Sequence, residues 1–242
     1  MAWLLANLPD VLELTWLHWL QCVLPLLLGL VLSLPLGYVA WRLRPIRGAI
    51  LSVSSVLYTI PSLALFVLLP FVLGTRILDP LNLIVALTIY AVALLVRSVV
   101  DALESIDDGV RQAAVAMGYR PLRRFFGVDL PLALPVLFAG LRVVSVSNIS
   151  LASVGALIGV RNLGTLFTDG LLRFFVTEIV IGIVLTLLLA VVMDLIIVAV
   201  ERVLTPWLRA GAKQPPAGTG AGFAARPHAG ERPDPAEAAV LP

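Results

Sequence analysis

Five runs of apolar residues, each about as long as a membrane-crossing helix, dominate the chain: 16–40, 50–73, 81–100, 131–158 and 179–200. A helix needs about 20 predominantly apolar residues to cross a hydrocarbon core of about 30 Å. The pattern therefore predicts an all-α, polytopic membrane protein with five transmembrane helices. Residues 101–129 form the longest polar excursion between the runs. Ahead of the first run, residues 1–14 are too short to span. Their Leu4, Leu5, Leu8, Val11 and Leu12, at mixed three- and four-residue spacings, suit a helix extension or a segment lying along the membrane surface. The expected division is an N-terminal interfacial segment over 1–15, a membrane domain over 16–205 with a polar loop at 101–130, and a tail over 206–242.

The basic residues set a direction. Arg42, Arg44 and Arg47 follow the first run, and Arg76 alone separates the second and third. Arg111, Arg120, Arg123 and Arg124 crowd the next connection, only Arg161 and Arg173 lie in the one after, and Arg202, Arg209 and Lys213 follow the last run. Lys and Arg in short loops stay cytoplasmic, so five spans place the N-terminus outside and the C-terminus inside. No Lys or Arg precedes Arg42, so the charged start of a signal peptide is missing and the first helix is expected to be retained. The tail carries Gln214-Pro215-Pro216, Arg226-Pro227 and Asp234-Pro235 and too little apolar surface to order itself, which predicts a disordered cytoplasmic segment.

Composition strengthens the membrane assignment: 60% of residues are hydrophobic and 13% charged, with a mean hydropathy of +1.02. A net charge of +2, spread over several segments, argues against nucleic-acid binding. Cys22 is the single cysteine, which excludes an intrachain disulfide and suits a small packing residue. The two histidines, His18 and His228, lie far apart in the chain, and no paired acidic motif falls inside a span. An intramembrane enzyme lacks its nucleophile, base and metal ligands on this reading. No Gly-x-x-x-x-Gly-Lys-Ser/Thr loop is present, so the chain is not expected to bind or hydrolyse ATP itself.

The loop at 101–130 reads as one short amphipathic helix. Val110 to Met117 are strong helix formers, Asp107 and Asp108 sit where acidic groups favour the helix dipole, and Gly118 suits a left-handed C-cap. Ala113, Ala114, Ala116 and Met117 make a small apolar face that permits close approach by another protein; folding back onto the chain's own helices is the alternative.

Gln112-Ala113-Ala114, three residues, Gly118, nine residues, Val128, one residue, and Leu130-Pro131 resemble the Glu-Ala-Ala loop of ABC importer permeases. The resemblance implies a type I permease fold whose loop is a coupling helix, seated in a groove of an ATP-binding subunit through Gln112, Ala113, Ala114, Gly118, Leu130 and Pro131. Gln112 stands where the pattern has Glu, which turns a charge-assisted contact into a neutral hydrogen bond. Tyr58-Thr59-Ile60-Pro61-Ser62-Leu63-Ala64-Leu65, Asp129-Leu130-Pro131-Leu132-Ala133-Leu134-Pro135-Val136 and Ala139-Gly140-Leu141-Arg142 are similar to the osmoprotectant permeases, which import glycine betaine, choline, carnitine or proline. The Gly-rich turn of those proteins stands here as Ile158-Gly159-Val160-Arg161-Asn162-Leu163-Gly164. The resemblance implies a prokaryotic plasma-membrane subunit with ATP and Mg on the partner ATPase, a second permease subunit, an external solute-binding protein and surrounding lipid. Amino acids are the alternative substrates, and an ATPase-independent transporter the alternative mechanism.

Within the spans, Arg142 and Asp194 sit at matching depths and are expected to pair across their helices, stabilising the bundle rather than contacting solute. Asn148 is the candidate for lining a solute path among the polar residues Ser145, Ser147, Ser150 and Ser153. A second candidate lies at Tyr58, Pro61 and Ser62, where the proline breaks the backbone ladder and frees a carbonyl, and where Tyr58 and Tyr90 can offer rings to a cation.

Overall fold

The computed structural model describes residues 2–207, and every regular element among them is helical. A short α1 (Ala2–Ala6) leads into α2 (Leu8–Arg42), followed by α3 (Arg44–Thr59), α4 (Ser62–Leu73) and α5 (Pro80–Glu104). The connecting region holds α6 (Asp108–Ala116), α7 (Pro121–Arg124) and a π-type turn over Phe125–Asp129. Then come α8 (Leu130–Val154), a 3₁₀ turn over Gly155–Ile158, α9 (Thr165–Leu172) and α10 (Val176–Leu204). The tail expected over 206–242 lies, past residue 207, outside the described residues.

Four stretches are long and apolar enough to cross a membrane: α2, α5, Pro121–Ile158 and α10. The second expected span is not one straight helix. It is α3 and α4, bent by 101° at Ile60 and Pro61. Proline has no N–H and disfavours helical backbone in the residue before it, and Ile60 is extended, with ψ of 128°. The twelve residues of α4 reach only about 18 Å, short of a crossing.

The 1–15 segment is not a separate unit either. Its residues from Leu8 onward belong to α2, whose 35 residues run about 52 Å, well beyond a hydrocarbon core. Pro9 opens that helix where its missing N–H costs nothing.

The fifth helix, α5, is the axis of the bundle, with Leu83, Leu87, Ala91, Leu95, Val96 and Val100 all buried. Lipid tails are as apolar as leucine, so helices in a membrane associate through close packing rather than the hydrophobic effect. Small residues supply it here. Gly29 and Gly37 of α2 lie so near α5 that an added Cβ would stand 2.5 Å from the side chains of Ala91 and Val99 respectively. Farther along α5, a Cβ on Gly140 of α8 would stand 2.5 Å from Ser98. Cys22 is buried in the same core, as a small packing residue.

The bend at Pro61 is closed by a tertiary hydrogen bond: the Tyr90 hydroxyl donates to the Ile60 carbonyl at 2.7 Å. Tyr90→Phe removes that donor at constant shape. It is expected to destabilise the protein by about 0.5–1.5 kcal/mol and to raise proteolytic cleavage near residue 60 in detergent; unchanged cleavage would mean that the bond does not hold the bend.

Candidate functional site

The connecting helix α6 is built as its sequence dictates. The Asp107 side chain caps it by accepting from the Gly109 amide at 2.7 Å, and Gly118 closes it with φ of +81°. Gln112, Ala113, Val115, Ala116 and Met117 are exposed. Ala114 is not: it is buried against the protein's own interior, so it seats α6 and is unavailable to a partner. Leu130 and Pro131 are half-buried at the first turn of α8.

What fastens α6 to the membrane helices is a charge cluster that the motif does not contain. Arg111 packs its guanidinium over the Trp41 ring of α2, 4.9 Å from the centroid. It donates to the Leu103 carbonyl of α5 and at 2.9 Å to Asp108. Its Nε lies 3.8 Å from Asp129 Oδ1. Arg124 donates from Nε to the other oxygen of Asp129 at 3.0 Å. Asp129 is 0% exposed and ends the π-type turn immediately before α8; such turns re-aim side chains and recur at functional sites. Arg111 therefore joins α6 to α2, α5 and the base of α8. Sequence reasoning counted Arg111 and Arg124 only as topology markers. The legible signal was an acid directly preceding a membrane helix, with arginines five and eighteen positions upstream.

A cavity of about 770 Å³ opens beside α6, lined by Trp41, Arg42, Arg44, Arg47, Glu104, Asp108 and Arg111. Arg47 and Glu104 pair across it and tie α3 to the end of α5.

Within the spans, Arg142 of α8 holds Asp194 of α10 with a two-pronged contact, Nε to Oδ1 at 2.5 Å and Nη2 to Oδ2 at 2.8 Å. The pair faces outward, 44% and 31% exposed, onto a cavity of about 480 Å³ shared with Ala139, Val143, Val146 and Ser147. A smaller groove of about 280 Å³ continues past Val146 along Ser150, Ser153, Phe167 and Thr186.

Asn148 does not join that face. Helical phase places it with Leu141, Val144, Ser145 and Ala152 on the buried side of α8, so it cannot line a path outside this chain's bundle. At the bend, Pro61 and Tyr58 are exposed and Ser62 half-buried. The carbonyl freed at Ile60 is occupied by Tyr90, and Tyr90 is itself buried with its ring edge-on to Tyr58 at 5.8 Å. Only the Tyr58 ring is presented, at a small cavity of about 170 Å³ with Ser54 and Arg97.

A second network lies at the opposite end of the bundle from α6. His18, fully buried, places Nε2 3.1 Å from the Ile149 carbonyl; a carbonyl only accepts, so Nε2 carries the proton. Gln21 donates to the Arg161 carbonyl at 3.0 Å and accepts from Asn162 at 3.1 Å. Asn162 also donates to the Ala152 carbonyl and accepts from the Gly164 amide. Outside these, Arg161 pairs with Asp10 at 2.6 Å and Glu13 at 2.9 Å. The turn over 159–164 is thereby pinned to α2. Among the described residues no three His, Cys, Asp or Glu gather as a metal would require.

Comparison with known proteins agrees with this architecture. Residues 26–210 match the family described as the binding-protein-dependent transport system inner membrane component. The osmoprotectant import permease protein OsmW of Salmonella typhimurium is 32% identical over 206 residues, 84% of this chain and 96% of the relative. The glycine betaine/carnitine/choline transport system permease protein OpuCD of Bacillus subtilis is 32% identical over 190 residues, 78% of this chain and 82% of the relative. Among solved structures, the inward-facing MetNI methionine ABC transporter superposes with a TM-score of 0.68 at 24% identity, over 78% of this chain and 95% of that one. That likeness is one of fold.

Proposed function

On the premise that the chain belongs to the family of binding-protein-dependent transport system inner membrane components, we propose that it is the permease subunit of an ATP-driven importer of osmoprotectants, the class that includes glycine betaine, carnitine and choline. It sits in a prokaryotic plasma membrane with its N-terminus outside. Two copies, or this chain and a similar one, enclose the path; an external binding protein delivers the solute, and ATP and Mg reside on two cytoplasmic ATPase subunits.

The observation that carries the reading is α6: a capped helix with an exposed face of Gln112, Ala113, Val115, Ala116 and Met117, tied through Arg111 to three membrane helices. A push on that face reaches α2, α5 and α8 together. The solute class is supported by the two relatives, which share most of their length with this chain.

Gly118→Asp tests the coupling. A Cβ at Gly118 meets nothing within 4 Å, so the carboxylate projects from the docking face without a steric clash, and the left-handed φ of +81° strains aspartate less than most side chains. With the cognate ATPase and binding protein co-expressed, uptake of radiolabelled glycine betaine is expected to be lost while the subunit remains in the membrane. Undiminished uptake would overturn the coupling role, and uptake independent of the ATPase would overturn the importer.

A further inference from the structure

The Arg142–Asp194 pair stands in an unexpected place for a structural tie. Both helices are anchored by other faces: α8 through the buried Val144, Ile149 and Ala152, and α10 through Leu189, Met193 and Ile197. The pair lies on the outward side instead, at the mouth of the 480 Å³ cavity. Arg142 is twelve residues from either end of α8, Leu130 or Val154, which puts it about 18 Å from both. At that depth an outward-facing charge pair is costly against lipid tails, and such residues mark water-filled or protein-lined pathways. A phospholipid headgroup lies too far out to reach it. The polar line continues along the same side through Ser147, Ser150, Ser153 and Thr186.

We propose that Arg142 and Asp194 form a binding site on the solute path for small zwitterions, molecules in which a carboxylate and a cationic nitrogen lie close together. The proposal rests on reading the chain as an importer permease. The solute carboxylate takes over the Nε and Nη2 edge of Arg142 that Asp194 occupies in the resting pair, and Asp194 turns to the cationic nitrogen. Every charge keeps a partner in both arrangements. A cation alone would leave Arg142 unpaired and an anion alone would strand Asp194; an unpaired charge at this depth is costly, so the pair holds a zwitterion better than either. Because the internal pair reforms behind the departing solute, binding stays weak enough for release.

The test uses the complete transporter in proteoliposomes with saturating, solute-loaded binding protein, comparing glycine betaine with choline, which has the cation and no carboxylate. The binding protein is unchanged between variants, so its own preference cancels in the ratio of variant to intact rates. Arg142→Gln is expected to lower the glycine betaine rate, relative to choline, by about tenfold or more. Arg142→Lys, which keeps the charge and loses the planar fork, should fall between. An equal loss of both solutes at normal membrane yield would make the pair a structural tie and overturn the proposal.

A second measurement leaves both charges in place. Ser147→Cys, on the cavity wall, should react with a charged methanethiosulfonate reagent, and glycine betaine should slow the reaction more than choline does. The natural Cys22 is 1% exposed and contributes little background. No reaction, or one indifferent to glycine betaine, overturns the site. If the intact transporter moves no zwitterion at all, the osmoprotectant reading fails with it; if it moves glycine betaine and the variants behave alike, only the site fails.

Discussion

Asp129→Ala is expected to leave the subunit in the membrane and its ATPase hydrolysing ATP while solute movement per ATP collapses. Asp129 receives Arg124 directly and faces Arg111 at 3.8 Å. Removing a buried acid strands its cations and typically costs about 3–5 kcal/mol. The loss is local, because the core of α5 from Leu83 to Val100 makes no use of these groups. The consequence falls on α6, which keeps its caps at Asp107 and Gly118 but loses its tie to the base of α8. Motion of α6 then dissipates instead of moving α8. Reconstituted transporter gives the decisive ratio, solute imported over ATP hydrolysed, expected to fall by about tenfold or more for a loss of this size. Asp129→Asn, which retains an acceptor for Arg124, should fall less. An unchanged ratio in the alanine variant would mean that force passes through the apolar contacts of Phe125, Leu137 and Leu103 and that the charges are ornamental.

Gly29→Leu should prevent a stable fold altogether. The first added carbon already stands 2.5 Å from the Ala91 Cβ and 3.4 Å from the Ala91 backbone, and an alanine methyl cannot rotate aside. To accommodate the leucine, α2 must lift from α5 along the contact that also holds Gly37 against Val99. Overpacking of a core costs about 1–3 kcal/mol when neighbours can yield, and more here, where a rigid methyl on a central helix is the obstacle. The yield of monodisperse complex in detergent is the readout. The compensating pair Gly29→Ala with Ala91→Gly moves one methyl across the same contact and should recover most of the yield lost by Gly29→Ala alone. Failure of that exchange would locate the constraint elsewhere.

The spans were legible because runs of some twenty apolar residues have few other uses, and α6 because its caps are local chemistry. The sharpness of the turn at Pro61 was not. A proline in a membrane helix can kink it or break it, and the outcome here depends on Tyr90, thirty residues away, taking the Ile60 carbonyl. The start of α2 was obscured because residues 1–14 are too short to span by themselves, whereas Asp10 and Glu13 find their partner in Arg161, across the whole membrane domain in sequence. Asn148 was a candidate for the path on its chemistry alone, and its burial was not legible because α8 is apolar nearly all round and periodicity then gives no phase. Arg142 and Asp194 could be placed together from their depths alone, since rise per residue is fixed, but depth says nothing about which way a pair faces. Asp129 was hidden by the motif around it: read as a position before Leu130-Pro131, it offered no hint that two arginines converge on it.

The two ends of the bundle are fastened by charges of different kinds. Arg161, Asp10 and Glu13 are each more than half exposed, whereas Asp129 is closed off from water. Mobile ions shorten the reach of exposed charges from about 10 Å at 0.1 M to about 3 Å at 1 M and affect enclosed ones much less. Concentrated salt therefore slackens the turn over 159–164, down to its remaining hydrogen bonds through Gln21 and Asn162, while the seat of α6 keeps its grip. The chain carries a built-in asymmetry toward electrolyte, soft at the end that holds the 159–164 turn and insulated at the end that carries α6.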